Sequence, residues 1–235
     1  MSESILKALM QLFAIIAGKS GDVGKETVRL FLKSQLNSSL KTRYIAVYDD
    51  YTAKFYRDSE LSQKKRSMAS VKVLRMCEEI NEELNQKDKI LVCLRLVEFV
   101  SQYEFAEIQE WEFVQTVADV FNIQPELYSS LLLLARLEHP SDVEHWRPNN
   151  LCRVAATNGD IVSHDLKGEL YFFWIESENL FLLKYLGDDE LYVNTQRIVR
   201  QRVYAFPQGS AVRGSKIHPI YYSDILHRLL KRSPH

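Results

Sequence analysis

Glu138-His139-Pro140-Ser141-Asp142 is the stretch on which the fold turns, because the chain changes character across it. Glycine is absent from Lys25 through Asn158, and the part of that span up to Gln124 lacks proline as well. Each glycine or proline costs a helix interior roughly 1 or 3 kcal/mol, so a run free of both reads as helices. Beyond the stretch, glycine returns at Gly159, Gly168, Gly187, Gly209 and Gly214 between short aromatic and aliphatic runs. Those runs read as strands.

Working upstream, apolar spacing predicts seven helices between the N-terminus and Leu137. The first carries Ile5, Leu9, Leu12, Phe13 and Ile16; Lys7 and Gln11 interrupt it and no basic segment precedes it, so it reads as a folded helix and not a signal sequence. After a turn at Gly21 to Lys25 the second shows Val28, Phe31, Leu32 and Leu36, and a third runs from about Ser39 to Tyr56. A lysine-rich loop, Gln63-Lys64-Lys65-Arg66, leads to a fourth with Val73, Cys77, Ile80 and Leu84; a fifth covers about Lys87 to Tyr103. Trp111, Val114, Val117, Ala118 and Phe121 stripe the sixth, and Pro125 suits the first turn of the seventh. Leu12 to Tyr44 also matches Leu96 to Tyr128 at an offset of 84 or 85, a duplicated helix pair that argues for one bundle.

Working downstream, Leu151 to Ala156 is a strand, and Asn158-Gly159 signals a tight hairpin. Glu169 to Ile175, Asn179 to Tyr185, Glu190 to Asn194, Ile198 to Phe206 and Ser210 to Arg213 continue the series and predict a small β-sandwich or barrel. Its expected core contains Leu170, Phe172, Trp174, Leu180, Leu182 and Tyr192. A last helix is expected with Ser223 as its N-cap and Asp224 in its first turn. The predicted class is therefore α+β, with domains at 1–138 (helical), 139–150 (linker), 151–222 (β-sandwich) and 223–235 (connector helix).

The net charge of -1 gives no overall pull toward nucleic acid or anionic membrane, and neither partner is expected. Charge is nonetheless polarised: residues 76–144 hold 15 Asp/Glu against 4 Lys/Arg, whereas residues 195–235 hold 8 Lys/Arg against Asp224 alone. Cys77, Cys93 and Cys152 lack metal-ligand spacing and read as buried reduced thiols, which suits a cytoplasmic protein. Ser163-His164-Asp165 names three triad residue types, but neighbours in a strand point to opposite faces, so the run is not a catalytic constellation. With no nucleophile, base and orienting group found together, the chain is expected not to be an enzyme and to need no cofactor.

Ala17-Gly18-Lys19-Ser20-Gly21-Asp22-Val23-Gly24-Lys25-Glu26 resembles the first acidic loop of the TerB-like family, with Ser20 at that family's aspartate position. The resemblance implies divalent cation binding at such loops, with Asp22, Glu26, Glu104 and Glu107 as candidate ligands; helix capping by the same carboxylates is the alternative. Leu191-Tyr192-Val193-Asn194 through Ile198 and Pro207 to Gly214 resemble the end of a forkhead-associated sandwich, which implies a phosphopeptide at Asn194 and Arg213. The family's early Gly-Arg and Ser-x-x-His are missing upstream. The two modules together, with Ser70 to Leu84 and Ile220-Tyr221-Tyr222-Ser223-Asp224-Ile225, resemble the N-terminal region of bacterial ABC-transporter-type ATPases. In those proteins an ATP-binding cassette follows, but no Gly-x-x-x-x-Gly-Lys-[Ser/Thr] loop occurs here.

That likeness implies a non-catalytic regulatory or protein-interaction region. Its expected partner is a cassette in the same chain or another, with a second copy of the chain as a further candidate. Ile225, Leu226, Leu229 and Leu230 of the last helix form the expected interface. The implied location is cytoplasmic, or the inner membrane face through a transporter complex. A ligand-sensing module, taking a cation at the acidic loops or a phosphopeptide at the β-loops, is the alternative.

Overall fold

A computed structural model describes residues 2–33, 36–56, 64–146 and 148–232, with backbone alone over 64–70. The class is α+β: seven helices precede two β-sheets and a short final helix. The chain divides into two compact units, Met1–Leu131 and Leu132–His235. That division falls inside the seventh helix, ahead of the His139-Pro140 linker at which the sequence changes.

The first unit is built from α1 (Glu3–Ala17), α2 (Gly21–Lys33), α3 (Ser38–Tyr56), α4 (Lys64–Glu83), α5 (Gln86–Gln102), α6 (Ile108–Val120) and the start of α7 (Pro125–Arg136). Both α1 and α5 are apolar almost all round, and a helix of that kind must be enclosed. Leu9, Met10, Leu12 and Phe13 of α1 and Val92, Cys93, Leu94 and Leu96 of α5 are fully buried accordingly. Helix α1 packs on α3 and α5, while α2 and α6 cover their flanks. The expected glycine turn at Gly21 to Lys25 is instead the first turn of α2. There Gly24 lies against the last carbonyl of α1, so closely that any Cβ would strike the Ala17 oxygen. The expected lysine-rich loop is likewise helical from Lys64, where α4 begins; Gln63 lies outside the described residues.

The second unit holds a five-stranded sheet in the order β2-β1-β3-β4-β7 and a four-stranded sheet in the order β6-β5-β8-β9. Their strands are β1 (Leu151–Ala155), β2 (Ile161–Val162), β3 (Glu169–Ile175), β4 (Leu180–Leu186), β5 (Leu191–Val193), β6 (Gln196–Arg197), β7 (Val203–Pro207), β8 (Ala211–Gly214) and β9 (Ile220–Tyr221). One core joins both sheets: Val154, Phe172, Phe181, Leu183 and Phe206 from the larger, Leu191, Val193, Val212 and Ile220 from the smaller. The final helix, α8 (Tyr222–Leu230), adds Ile225 and Leu229 to it.

Three local expectations for this unit need correction. Asn158-Gly159 does not close a hairpin, because β2 runs parallel to β1 with Val154 opposite Ile161. Only Asn158 has positive φ (56°); Gly159 is required because a Cβ there would lie 2.6 Å from the Ile161 carbonyl oxygen and 2.8 Å from the Ala155 nitrogen. The expected core list mixes faces. Leu170, Phe172 and Trp174 point into the shared core, Leu180 and Leu182 are buried on the opposite face of the same sheet, and half-buried Tyr192 points outward between Leu191 and Val193. Ser223 is not the cap of α8: that position is Tyr221, whose backbone NH donates to Asp224 Oδ2 at 2.9 Å. Residues 233–235 of the expected connector lie outside the described residues.

Candidate functional site

Three aromatic rings set the geometry of the first unit. Phe13 of α1 stacks on Phe99 of α5 at 4.2 Å, and Phe31 of α2 meets both edge-on at 5.3 and 5.5 Å. Phe13 and Phe99 sit near corresponding points of the duplicated helix pair, so α1 and α5 lie side by side and their following loops emerge together. Ser20 Oγ and Tyr103 Oη hydrogen-bond across those loops, and Lys19 Nζ pairs with Glu110 of α6. Glu110 Oε2 also accepts the backbone NH of Glu107 at 2.8 Å, closing the first turn of α6. Tyr56 completes the junction by donating to the Ile15 carbonyl at 2.7 Å, and burial pushes its phenol up to about 12.

The charge of this junction is already balanced internally. Burial alone would raise the Glu110 carboxyl, but hydrogen bonds from Lys19 and from the Glu107 and Glu110 amides outweigh it and hold the group below its ordinary range. Lys19 is raised by its bond to Glu110, against the opposing effect of burial. The structure therefore brings the two acidic loops together, with an ammonium group between them.

Of the candidate cation ligands, Asp22 is exposed in the first turn of α2, and exposed Glu26 lies 3.4 Å from Arg29. Glu104 is exposed in the second loop and Glu107 is the N-cap of α6. Among the described residues no three His, Cys, Asp or Glu side chains converge as a metal-ligand set. The sequence reading passed over Lys19 and Tyr103. The repeat contained the signal, since an offset of 84 sets one against the other.

In the second unit a cleft of about 420 Å³ is lined by Pro140, Val143, Leu151, Arg153, Tyr171 and Arg232, among others. Its two arginines and its tyrosine are paired with carboxylates. Arg153 Nε donates to Glu169 Oε2 at 2.7 Å, its Nη2 and the Tyr171 hydroxyl bond the same carboxylate, and Arg232 pairs with Asp160. Asp160 Oδ2 also accepts the Arg153 backbone NH at 2.7 Å, which fixes the loop between β1 and β2. Burial would raise Glu169, but the bonds from Arg153 and Tyr171 prevail and lower it. Tyr171 is pushed up, first by burial and then by its bond to the carboxylate.

The phosphopeptide candidates lie on the smaller sheet. Asn194, with φ of 55°, turns β5 into β6, and its Oδ1 accepts the Ala211 NH at 3.4 Å. Exposed Arg213 on β8 carries its guanidinium over the Tyr221 ring, 5.8 Å from the centroid. Asn194 is thus occupied in holding a turn, while Arg213 remains open to solvent. Of the expected interface residues in α8, Ile225 and Leu229 are buried within their own unit, Leu226 packs at the edge of its core, and Leu230 is exposed.

The three thiols sit in environments that suppress reactivity. Burial raises Cys77 and Cys93 to about 12 and Cys152 to about 11, and the nucleophilic form of cysteine is the thiolate. Among the described residues no helix is long and apolar enough to cross a membrane. Compared with known protein families, curated proteins and solved structures, the chain matches none.

Proposed function

We propose that the chain is a non-catalytic regulatory region that acts by protein contacts, working with an ABC-type ATPase cassette in the same polypeptide or a partner. The observation that carries this reading is the loop end of the first unit. Val23 and Ile108 occupy equivalent places in the repeat, in the first turns of α2 and α6, and both are exposed, at 52% and 76%. Phe105, in the loop three residues before Ile108, is 48% exposed. Large apolar side chains left exposed at corresponding positions of a repeat are candidates for contact with a partner. Exposed Asp22, Glu104 and Glu107 adjoin them in sequence, so the fitting partner surface is apolar with basic residues at its margin.

The internal pairing of Lys19, Glu110, Arg153 and Glu169 supports the same reading: these groups hold loops in place and leave the apolar side chains to meet a partner. The likeness to the N-terminal region of ABC-type ATPases is what points to a cassette as that partner. The reading frame beyond His235 and the adjoining genes provide the first check, since a phosphate-loop cassette in neither overturns the ATPase assignment. Where a cassette is present, Ile108→Glu in the full-length protein is expected to abolish cross-linking to it without lowering the melting temperature. Unchanged cross-linking refutes the docking surface.

A further inference from the structure

Strand register places four side chains of two chemistries on the outward face of the four-stranded sheet, three of them in one row and the fourth two residues along. Arg197 of β6 stands opposite Tyr192 of β5, and Tyr192 stands opposite Arg213 of β8. Tyr221 of β9 pairs with Ala211, two residues along β8 from Arg213 and so on the same face. The alternate residues Val193, Val212 and Ile220 point the other way, into the core. Arg197 and Arg213 are exposed, Tyr221 is 45% exposed, and Tyr192 is half-buried with its hydroxyl bonded to Glu190.

We propose that this face binds single-stranded nucleic acid, with bases stacked on Tyr192 and Tyr221 and phosphates held by Arg197 and Arg213. The two rings stand two strands apart and two residues out of register, roughly 12 Å from each other, with Arg197 opposite Tyr192 and the Arg213 guanidinium over the Tyr221 ring, where a stacking base would displace it toward a phosphate. An open antiparallel sheet bearing aromatic rings and cations is the arrangement that accepts splayed, unpaired bases, because every base has a face to stack. A duplex keeps its bases stacked on each other and offers the rings nothing. Residues 195–235, which supply Arg197 and Arg213, carry 8 Lys/Arg against one Asp, and Glu190 brings a carboxylate to Tyr192. The net charge of -1, which argued against such a partner, averages this basic segment with the acidic residues 76–144. A phosphopeptide would engage the arginines without needing the rings, so the rings decide between the two.

Fluorescence anisotropy with the full chain and a labelled oligothymidylate of about 15 nucleotides tests the proposal. Binding is expected, weaker for a duplex of the same length. Tyr192→Ala and Tyr221→Ala are each expected to weaken it by about fivefold to a hundredfold, with Tyr192→Phe close to the parent. Joint Arg197→Gln and Arg213→Gln should reduce the salt dependence, lowering the slope of log affinity against log salt by about 1.4. Because Tyr221 also begins α8, Tyr192→Ala is the deciding variant if Tyr221→Ala unfolds. Absence of binding at micromolar protein, equal affinity for duplex, or affinity untouched by Tyr192→Ala overturns the proposal. So does binding of a phosphothreonine peptide through Arg213 with no binding of the oligonucleotide.

Discussion

Replacing Glu110 by glutamine removes a charge while keeping an oxygen that can still accept the Glu107 amide. The loss then isolates the Lys19 pair. Lys19 is 40% exposed, so solvent screens the interaction and the expected cost at neutral pH is about 1 kcal/mol. Glu110 has a folded pKa below its ordinary value of 4.5, so its stabilisation is present above that value and is lost as pH falls through the lowered one. Thermal melts of Glu110→Gln should therefore differ from the parent above pH 4.5 and converge with it only as pH falls through the lowered Glu110 value; a constant difference at all pH values contradicts the pairing. The same ammonium group bears on metals. A cation bound at 100 times its dissociation constant would add about 2.7 kcal/mol, whereas magnesium, calcium or zinc is expected to leave the melting temperature unchanged because Lys19 already neutralises the junction. A metal-dependent rise that vanishes in Asp22→Ala would reverse that reading. The thiols give a further residue-level check. At pH 8 a thiol-disulfide reagent should label none of Cys77, Cys93 and Cys152 in the folded chain and all three in denaturant, given pKa values of about 12, 12 and 11.

At the level of single elements, α8 separates what spacing reveals from what it hides. Its apolar residues are evident in sequence, and Ile225 and Leu229 are buried at 0% and 2%, but the cap is one turn of argument further away. Ser223 has the right residue type and sits inside the helix, while Asp224 closes the first turn on the Tyr221 amide. Asp224→Ala is expected to cost about 1 kcal/mol and Ser223→Ala less than about 0.5, measured by chemical denaturation; the reverse order would restore Ser223 as cap. Leu229→Ala should cost about 2–5 kcal/mol and Leu230→Ala almost nothing. The helices of the first unit were legible for a related reason: a period of 3.6 in Val114, Val117, Ala118 and Phe121 is a local property. Strand pairing is not local. Nothing in Asn158-Gly159 reports that β2 will return parallel to β1, because the decision lies in Asp160 meeting the Arg153 amide and in Gly159 fitting against backbone. Tyr192 misled for the opposite reason, since alternation fixes that Leu191 and Tyr192 face opposite ways but not which of them meets the core. The loop junction was half legible: the repeat implied that two loops correspond, whereas the bond from Lys19 to Glu110 spans 91 residues and leaves no mark on either segment alone.

On the scale of the whole molecule, the division within α7 matters more than the change in composition at His139-Pro140. The residues from Leu132 onward belong with the β-rich unit. Two of its cations use carbonyls that precede the linker: Lys184 Nζ donates to Ala135 at 3.4 Å, and Arg200 Nη2 donates to Glu138 at 2.7 Å. Lys184 is only 2% exposed, and a buried ammonium group that loses an oxygen partner has no water to replace it. Trp146 then stacks on Phe173 at 5.7 Å and extends the cover of the same sheet face. A fragment cut where the sequence changes, at residue 139, therefore discards both carbonyls, whereas one that starts at Leu132 retains them. The longer fragment is expected to be more stable by about 1–3 kcal/mol in urea denaturation. Lys184→Met should narrow that gap, because a methionine at this buried position needs no oxygen, leaving the Arg200 bond and the buried side chains of Leu134 and Leu137 to distinguish the two. Equal stability of the 132–235 and 139–235 fragments would place the working boundary at the proline after all, and would mean that Ala135 and Glu138 are incidental acceptors whose loss the unit absorbs.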